Sequence, residues 1–216
     1  MGKKIILIIL FILPLVVYLF FATGVNKFVN LPILTNNVSE LPNWKSLNQE
    51  KIELKEKITI IGFLGDDVLT EKGNLFNLNQ KIYNKNKEFK DFQIVMVAPQ
   101  GTQEDIKSVI TELGSISNLS GWHFVFTSHD SIATFYKSFK LTENLNPKIG
   151  TTNVYIVDKD LNLRGRKGEN LKGEEEYKEG YNTISAADLH NNMSDDVKVI
   201  LAEYRLALKR NNKRKI

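Results

Sequence analysis

The sequence predicts an α/β sandwich in which a mixed central sheet is flanked by helices. Short runs of apolar, β-branched residues alternate along the chain with segments whose apolar residues recur at helical spacing. Such alternation favours parallel strands joined by right-handed crossovers. Late in the pattern, two strands follow each other across a short polar turn at 158–161, which adds antiparallel pairing. We therefore expect a mixed sheet.

The stretch 57–68, KITIIGFLGDDV, organises the rest of the chain. Its β-branched residues predict a buried strand, and the glycines and the Asp pair after them predict a loop at the strand's end. In open α/β sheets, the carboxyl ends of such strands display ligands and catalytic groups. Further strands are predicted at 92–98, 122–126, 151–157 and, as the returning arm of a hairpin, 161–166.

Helices are predicted between and after these strands. The first is predicted at 73–86 and the second at 102–113, where Thr102 is the cap. The third is predicted at 131–141, with Ser128 or Asp130 as its cap. The last is capped by Ser194–Asp196 and continues to about Lys209. The polar, Glu- and Gly-rich stretch 167–180 is predicted to be a surface insertion.

An uncharged apolar run, Ile5–Ala22, precedes the domain and is just long enough to span a bilayer as a helix. Lys3 and Lys4 come before it, so the positive-inside rule places the amino terminus in the cytoplasm and the rest on the periplasmic, extracytoplasmic side. We predict a single uncleaved membrane anchor at 1–24. The competing interpretation is a signal peptide cleaved after a small-x-small site that begins at Ala22.

The remainder divides into a linker at 25–55, one domain at 56–212 and a basic tail at 213–216. Prolines interrupt the linker, which is expected to dock on the domain in places, with Trp44 as a packing anchor. The basic residues at the carboxyl end are interpreted as a solvated helix end, or alternatively as a contact for anionic lipid headgroups.

The composition excludes several classes of function. The chain of 216 residues has a formal net charge of +4 and contains no cysteine. It therefore forms no disulfide, thiolate metal site or thiol nucleophile. No GxxxxGK[ST] or GxGxxG phosphate-binding motif is present. Export across the membrane disfavours nucleic acid as a partner.

Several segments, taken in order, resemble the Sco/SenC family of membrane-anchored copper chaperones. They are the amino-terminal span, Ile61–Phe63, Val95–Pro99 with the helix start Thr102–Asp105, Gly121–Phe124, and Val154–Asp158 with its hairpin. The resemblance covers roughly 57–210. It implies a thioredoxin-like fold and a place among proteins that deliver copper to cytochrome oxidase.

The chain departs from this family at the positions that carry its chemistry. The family's CxxxC motif falls in Leu64–Thr70, which has no cysteine, and its histidine falls around Gly150–Thr152, which has no histidine. Sulfur ligands are what select copper. The resemblance therefore implies fold and topology but no catalytic residue, no cofactor and no thiol redox activity.

Asp66, Asp67 and His123 are the remaining candidates for a site. The Asp pair follows the first strand, so it is a candidate for a hard metal or a general base, although two carboxylates supply only part of a calcium shell. The alternative is a turn whose Asp side chains cap the following helix. His123 on a strand and His129 at a helix start could converge on a metal.

These observations lead to two hypotheses. The first is a non-enzymatic, membrane-anchored Sco-like protein that acts as an interaction or assembly module in cytochrome oxidase or respiratory complex biogenesis, with oxidase subunits or assembly factors as partners. The second is a thiol-independent binder of a metal or small ligand at the Asp66–Asp67 loop. An oxidoreductase is disfavoured, because no residue here can form a mixed disulfide.

Overall fold

The computed structural model describes Gly2 and residues 10–18, 30–170 and 172–213, with only the backbone for 207–213. Residues 10–18 are helical. Within the described ranges, no helix combines the length and the apolar character needed to cross a membrane. Most of the predicted anchor at 1–24, and the end of the basic tail, lie outside the described residues.

A mixed sheet forms the centre of the fold, as predicted. Its strands are β1 Ile33–Thr35, β2 Lys45–Ser46, β3 Ile58–Leu64, β4 Phe92–Pro99, β5 Trp122–Thr127, β6 Gly150–Val157, β7 Leu163–Arg164 and β10 Tyr181–Asn182. The order is β1-β7-β6-β3-β4-β5-β2, with β10 also paired to β6. Strands β3, β4 and β5 are parallel, whereas β6 runs antiparallel to β3, and β7 to β6. The carboxyl ends of the three parallel strands therefore meet at one edge.

Helices cover both faces of this sheet. They are α1 Lys72–Leu78, α2 Asn84–Asn86, α3 Gln103–Gly114, α4 His129–Lys137, α5 Ala186–Asp188 and α6 Ser194–Lys213. A π-helical turn, Asn79–Tyr83, joins α1 to α2, and a second, Leu189–Met193, joins α5 to α6. Ile60 packs into the core on one face and Ile61 into the core on the other, and neither is exposed. Burial of both faces explains why β3 is an uninterrupted apolar run.

From residue 30 on, the predicted linker at 25–55 is built into the sheet. β1 pairs with β7 at one edge, and β2 pairs with β5 at the other. The apolar side chains Leu31, Leu41 and Leu54 are buried. Trp44 packs its ring edge-on against Phe135, with 5.2 Å between the centroids, as expected of an anchor.

The helix caps differ in part from prediction. Ser128 does cap α4, since its hydroxyl accepts the Ser131 N–H. Thr102 precedes α3, but its hydroxyl donates to the Pro99 carbonyl oxygen at 2.8 Å instead of accepting from the helix. Ser194–Asp196 does not cap α6, because the chain is already helical from α5 onward, and Ser185 provides the cap there.

The predicted insertion at 167–180 also has regular structure. β8 Arg166–Glu169 and β9 Glu175–Lys178 form a separate antiparallel hairpin. Arg166 anchors its base with bonds to Asp196 at 2.7 Å and Glu176 at 2.8 Å.

Candidate functional site

The candidate site lies where β3 ends and β6 begins. Leu64 is paired with Gly150 across these two strands. Gly65 follows with φ +67°, and a Cβ atom there would lie 2.5 Å from the Lys148 carbonyl oxygen. Only glycine combines that left-handed backbone with such a close approach. The two segments in which the family would carry its thiols and its histidine are therefore in direct backbone contact.

Asn146 organises the loop before β6. Its side-chain oxygen accepts the N–H groups of Lys148 at 2.9 Å and Gly150 at 3.0 Å. Ile149, between them, has φ +60°. This conformation is a true outlier for a β-branched residue, and such strain persists only where the surroundings impose it. The loop is thus held tightly against the end of β3.

Two side-chain contacts cross the candidate site, one between Asp66 and His129 and one between Asp67 and Lys148. The Asp66 carboxylate lies 2.8 Å from His129 Nε2, and the Asp67 carboxylate contacts Lys148 Nζ. The hydrogen bond from Lys148 to Asp67, together with the charge of that carboxylate, raises the pKa of Lys148. The pairs connect the loop after β3 with the start of α4 and with the loop before β6. All four groups are exposed, so each pair contributes little to stability.

The predicted capping role of the Asp pair is wrong. Neither Asp side chain caps α1, whose N-cap position is Glu71 and has no side-chain cap bond. The turn itself is present, since the Asp67 carbonyl oxygen accepts the Thr70 N–H at 3.0 Å. The Asp side chains instead contact His129 and Lys148, which are distant in sequence.

His123 lies away from the Asp pair. It is aligned with Val95 on β4, which is in turn aligned with Ile61 in the middle of β3, several residues before Asp66. Burial lowers the pKa of His123 despite the opposing charge of Glu50. The structure therefore brings His129, rather than His123, to the aspartates.

The donor set lacks the sulfur ligands that select copper and supplies only part of the shell that a hard cation needs. Among residues 30–170 and 172–206, no group of three or more His, Asp or Glu side chains could hold a metal. Asp66 and His129 supply one oxygen and one nitrogen, and Asp67 is engaged by Lys148. Sulfur ligands, which select Cu(I), are absent from the sequence.

A polar cleft of about 490 Å³ opens beside the first residues of β6. The Glu179 carboxylate accepts both the N–H and the hydroxyl of Thr142, each at 2.9 Å, and the Tyr177 hydroxyl at 2.6 Å. Glu143 accepts the Asn153 side-chain amide at 2.6 Å. These carboxylates are satisfied within the protein, so the cleft is explained by the fold.

Sequence reasoning missed Lys148 and Asn146 as parts of the site. An Asn-Pro pair at 146–147 does signal a turn. Nothing local indicates that this turn meets Asp67, which is 81 residues away.

The chain has a thioredoxin-like fold and contains no cysteine. No family model and no curated protein matches the sequence. Among solved structures, BsSco, a member of the Sco family of cytochrome c oxidase assembly proteins, superposes with a TM-score of 0.54 at 16% identity, covering 79% of this chain and 97% of BsSco. A SCO1/SenC family lipoprotein from Bacillus anthracis gives 0.52 at 18% identity, covering 82% of this chain and 99% of that protein.

These comparisons confirm the resemblance at the level of structure. The chain is similar to Sco/SenC and other thioredoxin-like proteins in its mixed sheet and flanking helices. At such identities the likeness shows the fold alone. The candidate site, with its Asp66–His129 and Asp67–Lys148 contacts, is a property of this chain.

Proposed function

We propose that the chain is a non-catalytic, membrane-anchored Sco-like protein that serves as an interaction or assembly module in cytochrome oxidase or respiratory complex biogenesis. One observation carries the proposal. The edge where a Sco-like fold would present thiols and an imidazole is occupied by Asp66–His129 and Asp67–Lys148. These groups connect loops but offer no nucleophile or copper ligand set. What remains for the domain is recognition of another protein.

The membrane part of the proposal rests on the sequence. The apolar run Ile5–Ala22, with Lys3 and Lys4 before it, would hold the protein in a membrane with the domain on the extracytoplasmic side. Detection of a mature chain that begins near Val25 would contradict a retained anchor.

Crosslinking in the native membrane tests the proposed role. We expect the full chain to capture oxidase subunits or assembly factors. Asp66→Ala and Asp67→Ala should leave this capture nearly unchanged, because the ion pairs act within the protein. Capture restricted to proteins outside respiratory assembly would contradict the proposal.

Copper titration tests the absence of metal chemistry. The full chain is expected to bind neither Cu(I) nor Cu(II) stoichiometrically in isothermal titration calorimetry. A tight one-to-one complex with either ion would overturn the non-catalytic proposal.

A second candidate function is a thiol-independent binding site at the Asp66–Asp67 loop. The contact between Asp66 and His129 favours it, because a carboxylate and an imidazole could both turn to a ligand. Calcium and zinc are the probes. A shift in melting temperature that Asp66→Ala abolishes would support this function, and no shift with either ion would exclude it.

A further inference from the structure

Leu31 is the point at which the domain holds the chain that precedes it. The Leu31 N–H donates to the Glu203 carboxylate at 2.7 Å, and the Leu31 carbonyl oxygen accepts from Arg164 at 2.8 Å. The Leu31 side chain is only 5% exposed. Both backbone groups and the side chain are therefore engaged, and the preceding chain leaves the domain at this place.

The connection from Leu31 to the predicted anchor is short. In the proposed function, the apolar run Ile5–Ala22 lies in the membrane, which leaves only residues 23–30 between that run and Leu31. Even fully extended, eight residues span at most about 29 Å. A surface beside residue 30 is thus always close to the bilayer, and a short tether gives even a weak contact a high effective concentration.

The two edges of the sheet differ in their distance from this tether. Residue 30 lies just before β1, which is the strand at one edge. β5 and β2 lie five and six strands away at the other edge, which corresponds to roughly 24–29 Å. The β1 edge is therefore the part of the domain that the tether brings to the membrane.

A cleft of about 430 Å³ borders residue 30 at this edge. It is lined by the chain at 30–32, by the β8–β9 hairpin and by α6, and we call it the residue-30 cleft. Its apolar lining comes from Leu31, Pro32 and Val199. Ile33, the next residue along β1, is 45% exposed. This edge thus combines an apolar-lined cleft with an exposed apolar side chain.

Two lysines border the same cleft. Of its three carboxylates, Glu176 and Asp196 are bonded to Arg166. Lys167 and Lys172 are exposed, and neither forms an ion pair with any residue that the structure describes. The charged groups available to a ligand are therefore two lysines and one carboxylate. Lysine binds phosphate as a point charge, so the cleft suits a phosphate group that adjoins apolar material.

We propose that the residue-30 cleft contacts the surface of the phospholipid bilayer that holds the anchor. Lys167 and Lys172 bind lipid phosphates, and the apolar lining meets the glycerol and upper acyl region. Attraction of basic side chains to lipid headgroups and burial of apolar groups at the interface both hold proteins on bilayers. The inference rests on the membrane anchor of the proposed function and adds the face that meets the membrane.

Site-directed spin labelling tests the proposal, because the chain contains no cysteine of its own. Tyr177 is 56% exposed and is aligned with Lys167 across the hairpin, whereas Asn48 is exposed just after β2 at the other edge. Tyr177→Cys and Asn48→Cys variants of the full chain carry a nitroxide in nanodiscs of phosphatidylcholine and phosphatidylglycerol with a nickel-chelating headgroup lipid. We expect nickel to relax the label at 177 several-fold more strongly than the label at 48.

Charge reversal supplies the matched control. The double variant Lys167→Glu, Lys172→Glu should reduce the relaxation of the hairpin label to the level at the other edge, since each lysine near an anionic surface adds to the attraction. The double variant Lys45→Glu, Lys107→Glu reverses two exposed lysines near β2 and β5 and should leave the hairpin signal unchanged. Circular dichroism verifies that both variants are folded.

Equal relaxation of the two labels would overturn the proposal, as would a hairpin signal that survives the reversal of Lys167 and Lys172. Alkaline carbonate extraction of native membranes separates this failure from a failure of the proposed function. Release of the chain by carbonate would contradict the membrane anchor itself. A chain that resists extraction but shows equal relaxation at both labels keeps its anchor and loses only the assignment of the residue-30 cleft.

Discussion

Two clusters of charged side chains in this molecule make similar contacts in opposite surroundings. At the candidate site, Asp66 and His129 pair with side chains that are 42% and 52% exposed. On the far side of β6, the Arg164 guanidinium is 7% exposed and bonds Asp158 at 3.0 Å, Glu203 at 2.7 Å and the Leu31 carbonyl oxygen at 2.8 Å. Water competes for the first cluster but is excluded from the second.

This difference shows which charged residues the stability of the fold depends on. The Arg164 cluster joins the amino-terminal segment, the turn after β6 and the last helix, and any partner left alone there would be buried without compensation. The candidate site holds three loops with contacts that water could replace. Its charges can therefore vary without loss of the fold, whereas those around Arg164 cannot.

The largest expected effect comes from breaking the buried cluster. Arg164→Ala removes the cation that is paired with Asp158 and Glu203 and leaves the buried Leu31 carbonyl oxygen without its donor, and it should lower the free energy of unfolding by about 3–5 kcal/mol. Urea unfolding of the full chain measures this loss. A loss below about 1 kcal/mol would mean that the cluster behaves like a surface pair.

A backbone change at the candidate site ranks second. Gly65→Ala puts a Cβ atom at φ +67° and within 2.5 Å of the Lys148 carbonyl oxygen. We expect a loss of about 2–4 kcal/mol in unfolding free energy, from left-handed strain and overpacking together. Gly101→Ala is the matched control, since it has φ +104° but no atom within 4 Å of the added Cβ. Equal losses for the two variants would show that the close approach is unimportant.

Asp188 is intermediate in exposure between the candidate site and the Arg164 cluster, and the pH dependence of stability measures its contribution. Burial acts to raise the pKa of Asp188, but hydrogen bonds from Asn192, the Asn182 N–H and Lys178 outweigh it, so the pKa lies below its ordinary value. Because the pKa of Asp188 is lower in the folded state than in the unfolded state, ionised Asp188 stabilises the fold at pH values above the unfolded-state pKa of about 3.9. This stability is lost as the pH falls through the folded-state pKa.

Asp188→Asn should therefore cost about 1–2 kcal/mol of unfolding free energy at pH 7 and less at pH 3. Denaturant unfolding at both pH values measures the difference. A gap between the two proteins that stays constant or widens on acidification would contradict the depressed pKa.

The smallest effect is expected at the exposed pairs. Asp67→Asn removes the charge opposite Lys148, and the melting temperature should change by less than about 3 °C. Differential scanning calorimetry with Asp66→Asn beside it measures both pairs. A larger drop for either variant would give these pairs a structural role like that of Arg164.

The sequence was sufficient for the parts of the fold that rest on long apolar patterns. β3, β4 and the second half of β6, Val154–Val157, are buried on both faces, so their residues form mainly apolar runs that the sequence pattern detects. β1 and β2 have only two or three residues and carry no such pattern, and they form because β7 and β5 present free edges. The two π-helical turns likewise could not be predicted from the spacing of apolar residues.

For the candidate site, the sequence predicted its position at the end of β3 but not which residues the two aspartates contact. The glycine and the Asp pair after β3 mark a turn at the end of a strand, which local chemistry indicates. The contacts that define the site join Asp66 to His129 and Asp67 to Lys148, over 63 and 81 residues. These distances are set by the register of β3 against β6 and, through β4, by the position of β5, and both depend on the whole sheet.

The Arg164 cluster also determines which segments must be present before the segment at residue 31 can make its contacts. The Leu31 N–H donates to the Glu203 carboxylate at 2.7 Å, across 172 residues. The Leu31 carbonyl oxygen accepts a hydrogen bond from Arg164, which lies 133 residues later in the chain. During synthesis the segment at residue 31 emerges first among the described parts of the sheet and finds its partners last. β7 and then α6 must follow before that early segment can settle. Without α6, the domain would have its central strands but would lack the Glu203 contacts to Leu31 and Arg164.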